Sequence, residues 1–231
     1  MSWSPNPVVN SQHVDAIQAV AEIEDKGPRY DKAIRTIVAF SATSELSDAN
    51  FRMWAGVMAD AALVPSRYLK EPENLRNVID HVIDHFELDL KGIHGASHWA
   101  RVAINGYILW QHHPEIDYRV TQAFAFLHDS KRCSDGNSDI EHGAKAAEWI
   151  TENRSMINLS DSQIILLTEA CRGHTVEIFS DNITIQACWD SDRLDIGRCK
   201  PYIDISFLGT EAAKKPEIMA AAMMRSRNSH D

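Results

Sequence analysis

The feature that most constrains this chain is a strongly apolar segment, residues 117–129, that ends in a His-Asp pair. Val120 and the run from Ala123 to Leu127 precede His128 and Asp129. This composition predicts a buried helix. Polar groups at the end of a buried helix are costly unless they find partners, and a metal ion is a good partner for an imidazole beside a carboxylate. The segment therefore predicts a core helix that delivers metal ligands at its end.

Apolar residues recur at helical spacing along most of the chain, which predicts an all-α fold. Four such stripes fall in the first 90 residues: 14–23, 33–40, 51–61 and 75–86. We expect an N-terminal helical extension (1–90) packed on the core, a metal-binding domain (91–200), and a C-terminal tail (201–231) with a terminal helix at about 210–226. The extension completes the bundle, covers the pocket or makes a dimer contact, and the sequence leaves these three roles open.

Further candidate ligands stand in order on both sides of the His-Asp pair. His98 precedes it, and His142, His174 and Asp192 follow. Imidazole nitrogen and carboxylate oxygen together suit Mn, Fe, Co, Ni or Zn better than Ca. A single histidine beside an apolar helix is more often a hydrogen-bonded core residue, so the prediction rests on the ordered set.

Four segments carry a family resemblance. They are HGASHWARV (94–102), LHDSKR (127–132), HGAKAA (142–147) and CWDSDRLDIGR (188–198). Together they resemble the HD-domain superfamily of metal-dependent phosphohydrolases over about half the chain. The resemblance implies an HD-domain helical bundle that holds one or two divalent metals. It assigns a first metal to His98, His128, Asp129 and Asp192, and a second to His142 and His174, with Asp129 bridging.

Basic residues close to these ligands are candidates for phosphate contact. We expect catalytic roles for Asp129, Arg132, Lys131 and Arg193. Guanidinium geometry suits a bidentate contact between Arg132 and a phosphate, and a solvated surface charge is the alternative. His94, with Lys131 and Arg132, is expected to bind substrate, or else to make only a loop hydrogen bond.

Two further carboxylates in the last segment have alternative roles. Asp190 and Asp195 are candidates to orient the metal ligands by accepting hydrogen bonds from them. Alternatively, Asp195 simply pairs with Arg198 three residues later, an interaction worth only a few tenths of a kcal/mol.

The chemistry implied is hydrolysis of a phosphate mono- or diester in a small phosphorylated compound, with a nucleotide expected first. A bound metal lowers the pKa of water and supplies a metal-bound hydroxide at neutral pH. Three alternatives stay open. These are a di-iron oxygenase resembling inositol oxygenase, a non-catalytic regulatory module that retains the metal, and a purely structural metal.

Charge and composition limit the partners. The formal net charge of −10 disfavours stable binding to nucleic acid. No apolar run approaches the roughly 20 residues that span a bilayer, and the N-terminus lacks the pattern of a secretory signal. The four cysteines form no CxxC pair, which excludes a zinc ribbon. We therefore expect a cytoplasmic enzyme with a small phosphorylated substrate, no membrane partner and, as an open question, a homodimer.

Overall fold

The computed structural model describes residues 73–90, 92–136 and 138–227, and this part of the chain contains helices and turns with no β-strand. The all-α prediction is therefore confirmed for these residues, whereas three of the four N-terminal stripes lie outside them. The α-helices are α1 (Glu73–His85), α2 (Ala96–His112), α3 (Tyr118–Leu127), α4 (His142–Glu152), α5 (Asp161–Gly173), α6 (Ile183–Arg193) and α7 (Pro216–Arg227). Short 3-10 helices lie at Arg154–Met156, Ile196–Arg198 and Ile205–Phe207.

Helix α3 is the centre of the bundle, because it packs against α1, α2, α5 and α6. Its apolar residues are buried as the sequence predicts, and Val120, Phe124 and Leu127 are fully enclosed. The helix ends at Leu127, and His128 is its C-cap residue. Among the described helices, α3 therefore carries the His-Asp pair into the interior between its four neighbours.

Side-chain caps fix where several helices start. Asp117 caps α3 by accepting hydrogen bonds from the backbone of Arg119 and Val120, and it also accepts one from Gln163 on α5 at 2.8 Å. Ser160 and Gln163 form a capping box at the start of α5, as the sequence Ser-Asp-Ser-Gln (160–163) predicts. The sequence offers Asp181 or Asn182 as the cap of α6, and in the structure Asn182 caps it.

The start of α2 lies before the residue that the sequence favours as its cap. Ser97 is of a type common at N-caps, but the helix begins at Ala96 with Gly95 as the N-cap residue and no side-chain cap. The backbone N–H of Ala96 instead donates to Leu90 O at 2.8 Å. The preceding turn closes this helix end with its own backbone, so no hydroxyl is needed there.

The C-terminal region belongs to the fold more fully than the sequence indicates. Helix α7 starts at Pro216, later than expected, and packs on α2 and on the 3-10 helix Ile196–Arg198. A second hydrophobic cluster joins Leu109, Leu194, Leu208 and Ala222. Within the parts of the chain that the structure describes, no helix combines the length and apolar character needed to cross a membrane.

Asp190 anchors the segment that leads to α7. Its carboxylate accepts hydrogen bonds from the backbone N–H groups of Gly209 and Thr210, at 2.9 and 2.7 Å, and from the Thr210 hydroxyl at 2.7 Å. Gln186 donates to it as well, at 2.9 Å. The proposed role of Asp190 in orienting metal ligands is therefore corrected: its oxygens are occupied in holding the C-terminal segment.

Candidate metal centre

The ends of five helices converge at one place in the bundle. The first turns of α2 and α4, the C-terminal ends of α3 and α5, and the last turn of α6 each contribute polar side chains there. Except for Asp192, whose side chain is 19% exposed, these residues are almost fully buried. The structure thus brings together all six predicted metal ligands: His98, His128, Asp129, His142, His174 and Asp192.

The first cluster joins α2, α3 and α6. Nε2 of His98 lies 3.1 Å from Nε2 of His128, and each of these nitrogens lies 3.4 Å from Oδ2 of Asp129. Oδ1 of Asp192 lies 3.4 Å from Nε2 of His98 and 3.9 Å from Nε2 of His128. Ligands about 2.1 Å from one metal lie about 3.0–3.4 Å from one another. Most of these separations fall in that range, so the donor set fits a single ion.

The second cluster joins α3, α4 and α5 through the other oxygen of Asp129. Oδ1 of Asp129 lies 3.1 Å from Nε2 of His142 and 3.5 Å from Nε2 of His174. The two nitrogens are 2.9 Å apart. Both clusters are groups of buried side chains that could hold a metal ion, and the carboxylate of Asp129 is common to them.

The tautomers of the four histidines follow from their Nδ1 partners. A backbone carbonyl can only accept a hydrogen bond, so a ring nitrogen facing one must carry the proton. Such carbonyls, from Phe124, Asp139 and Cys171, face Nδ1 of three of the rings, and the Asp195 carboxylate faces that of His98. The pairs are His128 with Phe124 (3.1 Å), His142 with Asp139, His174 with Cys171 (2.7 Å) and His98 with Asp195 (2.8 Å).

The inward nitrogens are therefore lone-pair acceptors that face one another and face carboxylate oxygens. Acceptors buried at such distances repel unless a proton or a cation lies between them. Burial alone would lower the pKa of His128, but the charge and hydrogen bond of Asp129, the charge of Asp192 and the hydrogen bond to Phe124 O together raise that pKa. A divalent metal satisfies the same need with more ligands at once, so the donor set fits a metal on chemical grounds.

The buried carboxylates are held in their charged forms. Burial alone would raise the pKa of Asp129, yet the charge of His128 and the close approach of the His128, His142 and His174 rings hold it well below its usual range. The pKa of Asp192 is also lowered, because His128 and other cationic neighbours outweigh its burial. Both groups are therefore ready ligands at neutral pH.

Asp195 orients the ring of His98 by binding the ring nitrogen that faces away from the first cluster. Its Oδ2 accepts the hydrogen bond from Nδ1 of His98, and Nε of Arg101 donates to its Oδ1 at 2.6 Å. Although burial opposes it, the charge of Arg101 and the contact with His98 strongly lower the pKa of Asp195. The expected ion pair between Asp195 and Arg198 is present as well, at 3.6 Å, but the contacts of Asp195 with His98 and Arg101 are shorter.

Two arginines lie beside the clusters. Nε of Arg132 donates to Oδ1 of Asp129 at 3.0 Å, and one of its amino groups donates to Ser134 O at 3.1 Å. Arg198 lies 3.9 Å from Oδ1 of Asp192. Burial would lower the pKa of Arg198, but the charges of Asp195 and Asp192 outweigh it and raise that pKa. Each cluster thus has a permanent positive charge next to one of its carboxylates.

His94 lies next to the first cluster and is buried. Its Nδ1 is 2.7 Å from Oδ1 of Asp135, in the loop after the His-Asp pair. Its ring meets that of His98 edge to face, with centroids 6.3 Å apart. Burial lowers the pKa of His94, although Asp129 and Asp135 oppose this. The expected loop hydrogen bond is present, and it leaves Nε2 without a partner among the described residues.

Two residues that were expected to have catalytic roles, Lys131 and Arg193, direct their side chains elsewhere. Nζ of Lys131 lies over the ring of Trp149, 5.4 Å from its centroid. The guanidinium of Arg193 donates to the backbone carbonyls of Glu177, Ile178 and Phe207. These bonds tie two loops together, so the assignment of Arg193 to the site is corrected, and in the same segment Arg198 is the arginine that faces the ligands.

Sequence reasoning did not find two residues that support the site. Asp135 is the partner of His94, and it comes from a loop in which the sequence shows only turn-forming composition. Ser226 donates to Oδ1 of Asp195 at 2.6 Å from the far C-terminal helix. No local pattern marks either residue, because each contact depends on how distant segments pack.

Comparisons with protein-family models, curated proteins and solved structures return no match to this chain. The resemblance to the HD-domain superfamily therefore rests on the residues themselves.

Proposed function

We propose that this protein is a metal-dependent phosphohydrolase of the HD type, acting on a phosphate mono- or diester of a small phosphorylated compound. The observation that carries the proposal is the pair of buried clusters that share Asp129, with Arg132 bound to the same carboxylate. Catalysis of phosphoryl transfer depends mainly on positioning and on stabilising negative charge. Metal ligands and a positively charged arginine bound to the same carboxylate suit that reaction.

The ligand assignment follows the two clusters. His98, His128, Asp129 and Asp192 would hold one divalent ion, and Asp129, His142 and His174 would hold a second. Nitrogen-rich sets of this kind favour Mn, Fe, Co, Ni or Zn. An ion bound there would lower the pKa of a coordinated water toward neutrality and so provide hydroxide at physiological pH.

The chain's own cations would hold the phosphoryl group. Arg132 uses Nε and one amino group on Asp129 and Ser134, which leaves its second amino group without a hydrogen bond among the described residues. This side chain is 12% exposed, and the Asp192 side chain of the first cluster is 19% exposed. The clusters therefore open to solvent near these two residues. A phosphoryl oxygen placed there would receive a charge-assisted hydrogen bond from Arg132.

His94 would complete the polar lining. Asp135 fixes the orientation of its ring by accepting from Nδ1, so Nε2 is directed rather than freely rotating. With burial lowering its pKa, the ring is neutral near pH 7 and can accept a hydrogen bond from a substrate hydroxyl through Nε2. Nucleotides, which carry both phosphate and hydroxyl groups, are accordingly the first compounds to assay.

A di-iron oxygenase is the second candidate, because the same donor set suits iron. The observation in its favour is the nitrogen-rich pair of clusters bridged by one carboxylate. Arg132 and Arg198, which lie beside the clusters, favour the hydrolase, since oxygen chemistry requires neither of them. Iron content near two per chain, with oxygen consumption and no phosphate release, would select the oxygenase instead.

The test is elemental analysis of the purified protein, combined with phosphate release from p-nitrophenyl phosphate and a nucleotide panel under added Mn, Ni, Co or Mg. The proposal expects one or two metals per chain and metal-dependent release. Arg132→Ala should reduce turnover. Lys131→Ala is the matched control, because it removes the neighbouring cation in the sequence, which lies over the ring of Trp149. Metal binding without turnover on any phosphoester would contradict the hydrolase.

A further inference from the structure

The carboxylate of Asp195 is fully buried and receives hydrogen bonds on both oxygens. Oδ2 accepts from Nδ1 of His98 at 2.8 Å and from an amino group of Arg101 at 3.1 Å. Oδ1 accepts from Nε of Arg101 and from the hydroxyl of Ser226, both at 2.6 Å. A carboxylate has about four acceptor positions, so this set is complete.

Ser226 reaches Asp195 because α7 packs closely on the 3-10 helix Ile196–Arg198. A Cβ atom added to Gly197 would lie 2.8 Å from Cβ of Ser226 and 3.0 Å from Sδ of Met223. Real Cβ atoms do not come that close to their neighbours, so the glycine permits the approach. The hydroxyl oxygen of Ser226 also lies 3.0 Å from Ala222 O, so its single proton faces two acceptors, of which Oδ1 of Asp195 is the closer.

We propose that Ser226 is a positioning residue of the metal centre, acting through Asp195 on the ring of His98. Arg101 and Ser226 together hold Oδ1, so that Oδ2 stays on Nδ1 of His98 and Nε2 points into the first cluster. Without the hydroxyl, Oδ1 keeps a single donor in a place that water does not reach. The inference rests on the proposed metal centre, and it makes the C-terminal helix a part of that centre.

The expected effect is specific to one cluster. The other three histidines are oriented by backbone carbonyls of their own helix ends, which Ser226 does not contact. Loss of a partner that orients a metal-bound histidine typically lowers metal affinity about 10- to 100-fold. Because Ser226 acts through Asp195, we expect Ser226→Ala to weaken the first cluster by about tenfold, at the lower end of that range, and to leave the second unchanged.

Titration of the metal-free full-length chain with Mn²⁺ tests this, with affinity and stoichiometry read by calorimetry. Gly197→Ala is a second variant, because the added methyl group pushes α7 away without removing any polar group. Ala222→Gly is the matched control, since it weakens α7 near Ser226 and leaves the Ser226 hydroxyl in place. Circular dichroism would establish that each variant is folded.

A second readout needs no metal. In long-range ¹H–¹⁵N spectra of the metal-free protein, the ring of His98 should show a protonated Nδ1. Ser226→Ala should shift or broaden that signal and leave the other three cluster histidines unchanged.

Weaker Mn²⁺ binding at one site in Ser226→Ala and Gly197→Ala, with wild-type binding in Ala222→Gly, supports the inference. Equal losses of Mn²⁺ affinity in all three variants would show that the effect is a general destabilisation of α7, and this result would overturn the inference. Unchanged binding in both test variants would overturn it too, while leaving the metal centre intact. If the wild-type chain binds no Mn²⁺, the proposed metal centre itself fails, and the inference fails with it.

Discussion

Gly143→Ala tests whether the close contact between α4 and α5 sets the geometry of the second cluster. Gly143 lies in the first turn of α4, directly after His142. A Cβ atom there would overlap Cys171 O and would lie 3.0 Å from both Nδ1 and Cε1 of His174. Cys171 O is also the acceptor that orients His174. One added methyl group would therefore displace a metal ligand and the carbonyl that holds it.

The magnitude follows from the overlap. Restoring an ordinary carbon–oxygen contact requires a shift of about 1 Å between the two helices. Overpacking of this kind costs about 1–3 kcal/mol, and the better helix propensity of alanine returns at most about 1 kcal/mol. We expect a net loss of about 1–2 kcal/mol in the free energy of unfolding. We also expect metal affinity at the second cluster to fall about 10- to 100-fold.

The assay combines urea unfolding of the metal-free protein with a Mn²⁺ titration. Gly106→Ala is the control, since Gly106 also faces a neighbouring helix and its added Cβ would meet Cβ of Thr121 at 3.2 Å. That contact lies between α2 and α3 and involves none of the ligands, so the control should keep both metal affinities. Wild-type affinity at both clusters in Gly143→Ala, or selective loss at the first cluster, would refute the reasoning.

The remaining predictions concern the shared carboxylate of Asp129, the guanidinium of Arg132 and the dependence of metal binding on pH. Asp129→Ala should abolish binding at both clusters and phosphate release while circular dichroism shows helicity mostly intact; turnover at the wild-type level would contradict its bridging role. Arg132→Ala should raise KM or lower kcat with metal content unchanged, and a parallel loss of metal would show that Arg132 acts on Asp129 alone. On acidification below about pH 7, protons compete with metal at the histidines. Although burial opposes it, the charge of Asp129 raises the pKa of His128, whereas burial lowers that of His174. His128 therefore binds a proton at higher pH than His174. We expect the first cluster to lose its ion first, as followed by histidine ¹⁵N resonances; the reverse order would contradict the prediction.

What the sequence predicts well is what neighbouring residues determine. The apolar run that ends at His128 specifies a buried helix, and the capping box at Ser160 specifies where α5 begins. Candidate ligands at helix ends are recognisable for the same reason, since a helix boundary is a local property. Their convergence in the structure follows from the packing of α3 against its neighbours.

The sequence predicts poorly those contacts that depend on the direction of the backbone after a helix has ended. Arg193 is the last residue of α6, and its side chain turns toward the loops at Glu177 and Phe207. The chain then enters a 3-10 helix, which brings Arg198 back toward Asp192. The direction of the backbone after the helix end decides which arginine meets the ligands, and residue spacing alone does not contain that direction.

The two clusters depend on different levels of structure. Nδ1 of His128, His142 and His174 binds a carbonyl three or four residues earlier, so these rings are oriented as soon as their helix ends form. His98 is oriented by Asp195, 97 residues away, which is itself held from α7. The orientation of His98 in the first cluster therefore depends in part on docking of the C-terminal helix. Because an ion that binds only the native state stabilises that state, metal at the first cluster would favour docking of α7, whereas metal at the second would tie together only α3, α4 and α5.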